Sequence, residues 1–357
     1  MSDYRKTKLY DSHQSLKAKL VPFSGFWMPL QYSSIIKEHH HVRSKSGLFD
    51  VSHMGEFIVS GNNAKTFLQD VTTNDIQNLE AGKVQYSAFC NDSGGVIDDL
   101  LVYHLGDYYM LVVNASNIEK NFEWLSSKLI DDVSLKDKSD TMSLLALQGP
   151  LSRTHLKKLY PKIEDLKYYE TLLPDNNEVI VARTGYSGEL GFEIYAPNSI
   201  ILKLWNEILS LSDDVLPVGL GCRDSLRLEM GYCLYGNELN EQTTTIEAGL
   251  SWITKHETSF IGSKSMQDNL PSKKLIALIS EERAIPRSGY KIFSKEKKEV
   301  GVVTSGGMSP CLKKGIALAY VDYEMRLEKE FLIGIRDNFF IFEKTKLPFY
   351  KNGTYLK

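Results

Sequence analysis

Apolar residues recur at helical spacing in two stretches of the chain. Ile118, Phe122, Leu125 and Leu129 fall at i, i+4, i+7 and i+11, which predicts an amphipathic helix with Ser116 or Asn117 as its N-cap. Ile201, Leu204, Trp205 and Ile208 repeat the signal, with Asn198 or Ser199 in the cap position. Around these helices lie short runs rich in β-branched and aromatic residues, at 55–59, 99–105, 108–113 and 179–182, each of strand length. Hairpins with intercalated helices predict α+β layers rather than a doubly wound parallel sheet. Beyond Pro271-Ser272-Lys273-Lys274 the pattern changes to short strand-like pieces at 274–279, 301–304, 316–321 and 339–342, broken by glycines and charged turns. A separate all-β domain is expected from about residue 274.

Composition narrows the class without naming it. The 357 residues suffice for two or three domains, and an apolar share of 42% with 24% charged predicts an ordinary packed core. A net charge of −3 argues against a basic nucleic-acid surface. No run of about 18 apolar residues occurs, so no transmembrane helix is expected. The polar, acid-containing start does not read as a signal or transit peptide, which predicts a cytoplasmic protein or the processed form of an organelle-matrix protein. Cys90, Cys222, Cys233 and Cys311 lie far apart, so reduced thiols are expected rather than a zinc site or a disulfide framework.

Several chemical signals fail on inspection. His39-His40-His41 would point in different directions from a helix or strand, and no carboxylate and histidine set elsewhere in the sequence completes a metal site. Gly185-Tyr186-Ser187-Gly188-Glu189 lacks the final glycine of a nucleophile elbow. Gly219-Leu220-Gly221 lacks the third glycine of a dinucleotide fingerprint.

Three segments remain. In the first, Asn91 to Gly95 form a turn feeding a strand on which Asp98 and Asp99 must face opposite sides, Asp99 with Leu101 and Tyr103. In the second, the glycines around Tyr186 suit a tight connection presenting that ring, and Glu193 faces away from Phe192 and Ile194. In the third, Arg223 and Arg227 share one helix face, with Arg223 in a first turn where the helix dipole disfavours a cation. Each has a bland reading: a solvated turn carboxylate, a solvent-facing glutamate and an ion pair with Asp224, Glu229 or a neighbouring element.

Taken in order, these segments resemble the glycine cleavage T-protein (aminomethyltransferase) family along nearly the whole chain. The carrying residues are Phe23 to Tyr32, Gly47 to Glu56, Gly94 to Leu100, Val113-Asn114-Ala115, Leu147 to Pro150, Arg183 to Glu189, Gly219 to Asp224 and Thr304 to Pro310. The resemblance implies a three-domain, cloverleaf-like α+β ring. Residues 1–50 with 139–273 would form a discontinuous ferredoxin-like domain, 51–138 a second such domain, and 274–357 a small β-barrel. It implies a one-carbon transferase of glycine catabolism. Such an enzyme releases ammonia from the aminomethyl-lipoyl H-protein and passes the carbon to tetrahydrofolate, giving 5,10-methylenetetrahydrofolate and the dihydrolipoyl H-protein.

By the same resemblance Asp99 is the catalytic carboxylate. Met54, Tyr86, Val113, Asn114, Tyr186, Glu193 and Arg223 match folate-pocket positions, with no metal. Cys222 and Gly307-Met308 depart from the common pattern, away from the chemistry. Two other readings share the fold. One is a folate-dependent demethylase, which the agreement around Asp99 disfavours. The other is a non-catalytic folate-binding protein of iron–sulfur cluster maintenance, whose motif is not matched at Met230 to Glu238, where Cys233 falls one position late and no lysine is present.

Overall fold

The computed structural model describes residues 4–174 and 178–357. The molecule is mixed α+β, built on a six-stranded sheet, a five-stranded sheet, a closed six-stranded barrel and a small three-stranded sheet near the N-terminus.

The six-stranded sheet gathers distant segments. Its order is Thr171–Leu172, Ile180–Ala182, Gly191–Pro197, Met142–Gln148, Ser46–Asp50 and Val215–Pro217, the last parallel to its neighbour. Its central strands are buried on both faces, so alternation there separates two cores rather than core from water. Leu145, Leu147, Phe192 and Ile194 pack outward beneath the Ile201–Leu209 helix. Leu144, Ala146 and Tyr195 pack inward against Tyr103, Met110 and Val112 of the five-stranded sheet.

That second sheet is antiparallel and local, in the order Val84–Cys90, Val96–His104, Tyr108–Val113, Gly55–Ser60 and Ser134–Asp137. Its other face carries Phe57, Leu100, Val102 and Leu111, covered by Phe67, Leu68 and Leu125 from the Ala64–Val71 and Ile118–Ser127 helices. The barrel begins at Lys273 and closes through Asn338–Thr345, around Ile292, Val303, Phe331 and Phe342.

Both periodic helices form where expected; Asn117 holds the N-cap position of the first, as expected, but in neither helix does a side chain cap the N-terminus. The Ile201–Leu209 helix is preceded by Ile200 with no side-chain cap, because Asn198 is taken by Ser143 and Asp140 instead. The Ile118–Ser127 helix follows a 3-10 turn, and Asn117 turns its amide to Asp98 rather than to the helix. Leu129 lies past the helix end and is exposed, so the apolar stripe stops at Leu125. In the barrel, the strands Lys291–Phe293 and Glu330–Ile335 were not foreseen. They are short or glycine-interrupted and are defined by cross-strand pairing, which a local pattern does not report.

Candidate active site

A cavity of about 1900 Å³ opens where the two main sheets, the Leu220–Met230 helix and the barrel meet. Asp99 reaches it from the Val96–His104 strand, where alternation sends Asp98 the other way into the core side. Tyr86, on the neighbouring strand, donates its hydroxyl to Asp99 Oδ2 at 2.9 Å. Asn114, just past the Tyr108–Val113 strand, donates Nδ2 to Asp99 Oδ1 at 2.9 Å. Burial pushes the Asp99 carboxyl up from its ordinary range, while the Tyr86 and Asn114 donors pull it back. The result is a carboxylate of raised basicity, held in place and open to the cavity.

Glu193 comes from the sheet opposite, on Gly191–Pro197, and is 5% exposed. Its Oε2 accepts from Thr184 Oγ1 at 2.5 Å and from Tyr103 at 3.4 Å, while Oε1 has no hydrogen bond among the described residues. A carboxylate oxygen in the cavity wall without a protein donor can accept a hydrogen bond from a ligand's N–H group.

Tyr186 lines the same wall. Its hydroxyl is bonded to the Cys233 carbonyl and its ring stacks on Tyr232 at 5.7 Å. Arg223 lies over the Tyr186 ring, its guanidinium carbon 4.8 Å from the centroid. Among the described residues it makes no ion pair or hydrogen bond, unlike Arg227 one turn later. Arg227 takes Asp224 and Glu238, and Arg43 takes Glu229. The bland ion-pair reading therefore fits Arg227 and not Arg223, whose donors remain available in the cavity.

Seven of the eight residues singled out from the sequence line this cavity: Met54, Tyr86, Asp99, Asn114, Tyr186, Glu193 and Arg223. Val113 does not. Its side chain packs in the fully buried core beneath the five-stranded sheet, because it is Val112 that shares the cavity face of that strand. Other wall residues were missed. Trp252 sits 5.8 Å from the Tyr86 ring, and Tyr168, Tyr169 and His53 also line the cavity. Trp252 and the tyrosine pair occupy short turns and loops, where no periodicity marks an inward face. His53 is held neutral, with its pKa lowered to about 4 by burial.

The histidine run resolves differently from the sequence expectation. His40 is exposed, and His41 bonds to the Ser46 and Asp214 carbonyls. His39 meets Glu229 and Cys311, all within 4.8 Å. A matching carboxylate thus exists, brought 190 residues along the chain by the packing of two helices. Arg43 already supplies a cation there, 2.9 Å from the Glu229 oxygen that His39 contacts at 3.0 Å. All four cysteines are free.

Comparison with known proteins gives the family. The family model "GCVT N-terminal domain" matches residues 9–258, and "Glycine cleavage T-protein C-terminal barrel domain" matches 273–351. The chain belongs to the glycine cleavage T-protein family. It is 45% identical to an aminomethyltransferase of Halothermothrix orenii, covering 97% of this chain and 99% of that one. It is 44% identical to an aminomethyltransferase of Flavobacterium psychrophilum, with the same coverage. The crystal structure of glycine cleavage system aminomethyltransferase T from Bartonella henselae superposes with a TM-score of 0.94 at 33% identity, covering 99% of this chain and all of that one. The chain is accordingly an enzyme of the aminomethyltransferase class, with a T-protein fold. Among its described residues no helix is long and apolar enough to cross a membrane.

Proposed function

We propose that this T-protein family member takes the aminomethyl group from the lipoyl arm of the glycine cleavage H-protein. Ammonia leaves, the carbon passes to tetrahydrofolate as 5,10-methylenetetrahydrofolate, and the arm is left on the H-protein in its dihydrolipoyl form. The observation that carries this reading is the pairing in one cavity of two carboxylates with different surroundings. Asp99 is held by one neutral donor on each oxygen, and Glu193 has one oxygen without a hydrogen bond among the described residues.

The wall residues fit a folate. A pterin edge presents N–H donors, which suit the unpaired Oε1 of Glu193. Tyr186, Tyr86 and Trp252 offer aromatic faces for flat rings, and Arg223 offers unpaired N–H donors to carbonyl or carboxylate oxygens. Bound there, the pterin nitrogens supply the nucleophile.

The protein's own groups do the rest. Asp99 sets a negative charge beside the carbon as the amine departs, where positive charge builds, and its raised basicity suits it to hold a proton in transit. Tyr86 and Asn114 keep that carboxylate from rotating away. The same reading divides the chain into 1–50 with 139–273, 51–138 and 274–357, and puts the enzyme with its lipoylated partner in the cytoplasm or, as a processed form, in an organelle matrix.

The test is a coupled assay with aminomethylated H-protein and tetrahydrofolate, following ammonia and methylenetetrahydrofolate together. Equal amounts of both products are expected. Folate binding with neither product would overturn the reading in favour of a demethylase or a binding-only protein.

A further inference from the structure

Asp98 is completely buried, carries a carboxyl group and touches no part of the cavity. Its surroundings are nevertheless unusually committed. Oδ1 accepts from Asn114 Nδ2 at 2.8 Å and Asn117 Nδ2 at 2.7 Å, and Oδ2 accepts from Asn121 Nδ2 at 2.6 Å and the Asn114 backbone N–H at 3.1 Å. Four donors converge on one carboxylate, three of them side-chain amides. Asn121 leaves its own Oδ1 buried without a partner in order to contribute. Asn117 stands at the N-cap of the Ile118–Ser127 helix and gives its side chain to Asp98 instead of to the helix. Polar groups arranged at such cost call for an explanation beyond stability.

The explanation lies in Asn114. Its Nδ2 carries two hydrogens and sits between two carboxylates, 2.8 Å from Asp98 Oδ1 and 2.9 Å from Asp99 Oδ1. An asparagine amide has two ends of nearly equal shape, one donating and one accepting. Turned over, it would aim an oxygen at Asp99 and repel it. Facing Asp99 alone, the amide could shed that contact by rotating toward the open cavity. Asp98 removes that freedom: its Oδ1 accepts from Nδ2 on the buried side of the strand, and the backbone N–H of the same Asn114 fixes the residue to Oδ2 of the same carboxyl group.

We propose that Asp98 is a positioning residue that acts through Asn114 to hold the Asp99 carboxylate in its reactive orientation. The inference rests on the proposed role of Asp99 in the transfer. Adjacent strand residues point to opposite faces, so a direct contact between the two side chains is sterically excluded, and Asn114 at the strand's edge reaches around to join them. A local sequence of two aspartates thus provides one reacting group and the anchor for its orienting amide.

The test is a double-mutant cycle in the coupled assay, with folate affinity measured separately on each folded variant. Asp98→Asn is expected to lower kcat about tenfold or more while folate affinity stays within about threefold, the signature of a lost transition-state contact. In the Asp99→Asn background the same change is expected to cost nothing further, because a group that acts through Asp99 has no effect once Asp99 is gone. Wild-type kcat in Asp98→Asn, or losses that multiply in the double variant, overturns the inference. Should Asp98→Asn fail to fold, Asn114→Ala carries the same cycle with Asn117 and Asn121 still on Asp98, and multiplicative losses there overturn it equally. Full activity in Asp99→Asn alone removes the role of Asp99, and the inference falls with it.

Discussion

At the scale of single residues, the two cavity carboxylates are separated by what surrounds them. Asp99 is wrapped by Tyr86 and Asn114 and raised by burial, so its charge is available to the reaction rather than spent on an ion pair. Asp99→Asn keeps the shape and removes the charge. Turnover is expected to drop about tenfold or more with folate affinity little changed, as transition-state stabilisation demands. Equal turnover in a steady-state comparison would exclude Asp99 from the chemistry. Glu193 has the converse assignment. Glu193→Gln keeps a carbonyl oxygen but loses the charge that strengthens a ligand's N–H bond, an effect of about 1.5–3 kcal/mol. Folate affinity measured by titration is expected to weaken about tenfold or more, with thermal stability near that of the wild type. Undiminished affinity would place the pterin edge elsewhere. That Glu193 would leave the face of Phe192 and Ile194 was legible from alternation. That it would be buried rather than solvated was not, because burial on that face comes from a second sheet.

At the scale of elements, the Leu220–Met230 helix shows how one periodicity serves three purposes. Arg223 in its first turn faces the cavity, Arg227 one turn on ties the helix to Glu238 and to Ser305 of the barrel, and Glu229 faces His39 and Arg43 of the Ile35–Ser44 helix. Leu226 and Leu228 fill cores on either side. The 3.6-residue period predicted that Arg223 and Arg227 would be neighbours. It could not say which would be paired, since their partners lie in loops and strands that are remote or irregular in sequence. Arg227 is 2% exposed and Glu238 fully buried, so breaking their contact strands a buried charge. Glu238→Gln is expected to destabilise the protein by about 3 kcal/mol, at the lower end for a broken buried pair because Asp224 still holds Arg227. Chemical denaturation reads this directly, and a loss below about 1 kcal/mol would show that Ser305 and Asp224 suffice.

At the scale of the whole molecule, the cavity exists only because separate packed bodies meet, and Glu229 is a principal fastening at that junction. It accepts from Ser309 Oγ at 2.5 Å and from the Cys311 N–H at 3.0 Å in the barrel, and from Arg43 at 2.9 Å across the helix pair. Burial disfavours its charge, but His39 first, then Ser309 and Arg43, outweigh that and hold its pKa down to about 2 against an ordinary 4.5. Burial also keeps His39 below its ordinary pKa, while the Glu229 and Glu189 carboxylates keep Arg43 charged. A carboxyl whose folded pKa is depressed contributes stability that is complete above its unfolded pKa and is lost as pH falls through the folded one. The contribution of Glu229 is therefore full above about pH 4.5 and fades toward pH 2. Comparing the melting temperatures of wild type and Glu229→Gln from neutral pH downward, the wild-type advantage is expected to shrink progressively below about pH 4.5. A constant offset across that range would show that Glu229 does not titrate with unfolding.

What the sequence determined by itself was local. Alternation placed Asp98 and Asp99 on opposite faces and the helical period placed Arg223 beside Arg227, because both depend only on backbone geometry over a few residues. Ordered motifs then carried the family, since each segment constrains a turn or a strand end that any chain of this fold must repeat. Tertiary structure alone decided which faces are wet, which arginine is free and which aromatic loops close the cavity, because each depends on what another segment contributes across the junction. Val113 marks the boundary: its strand was foreseen to the residue, and its side chain still faces the core, since only the packing of the second sheet shows which of two alternating faces the cavity takes.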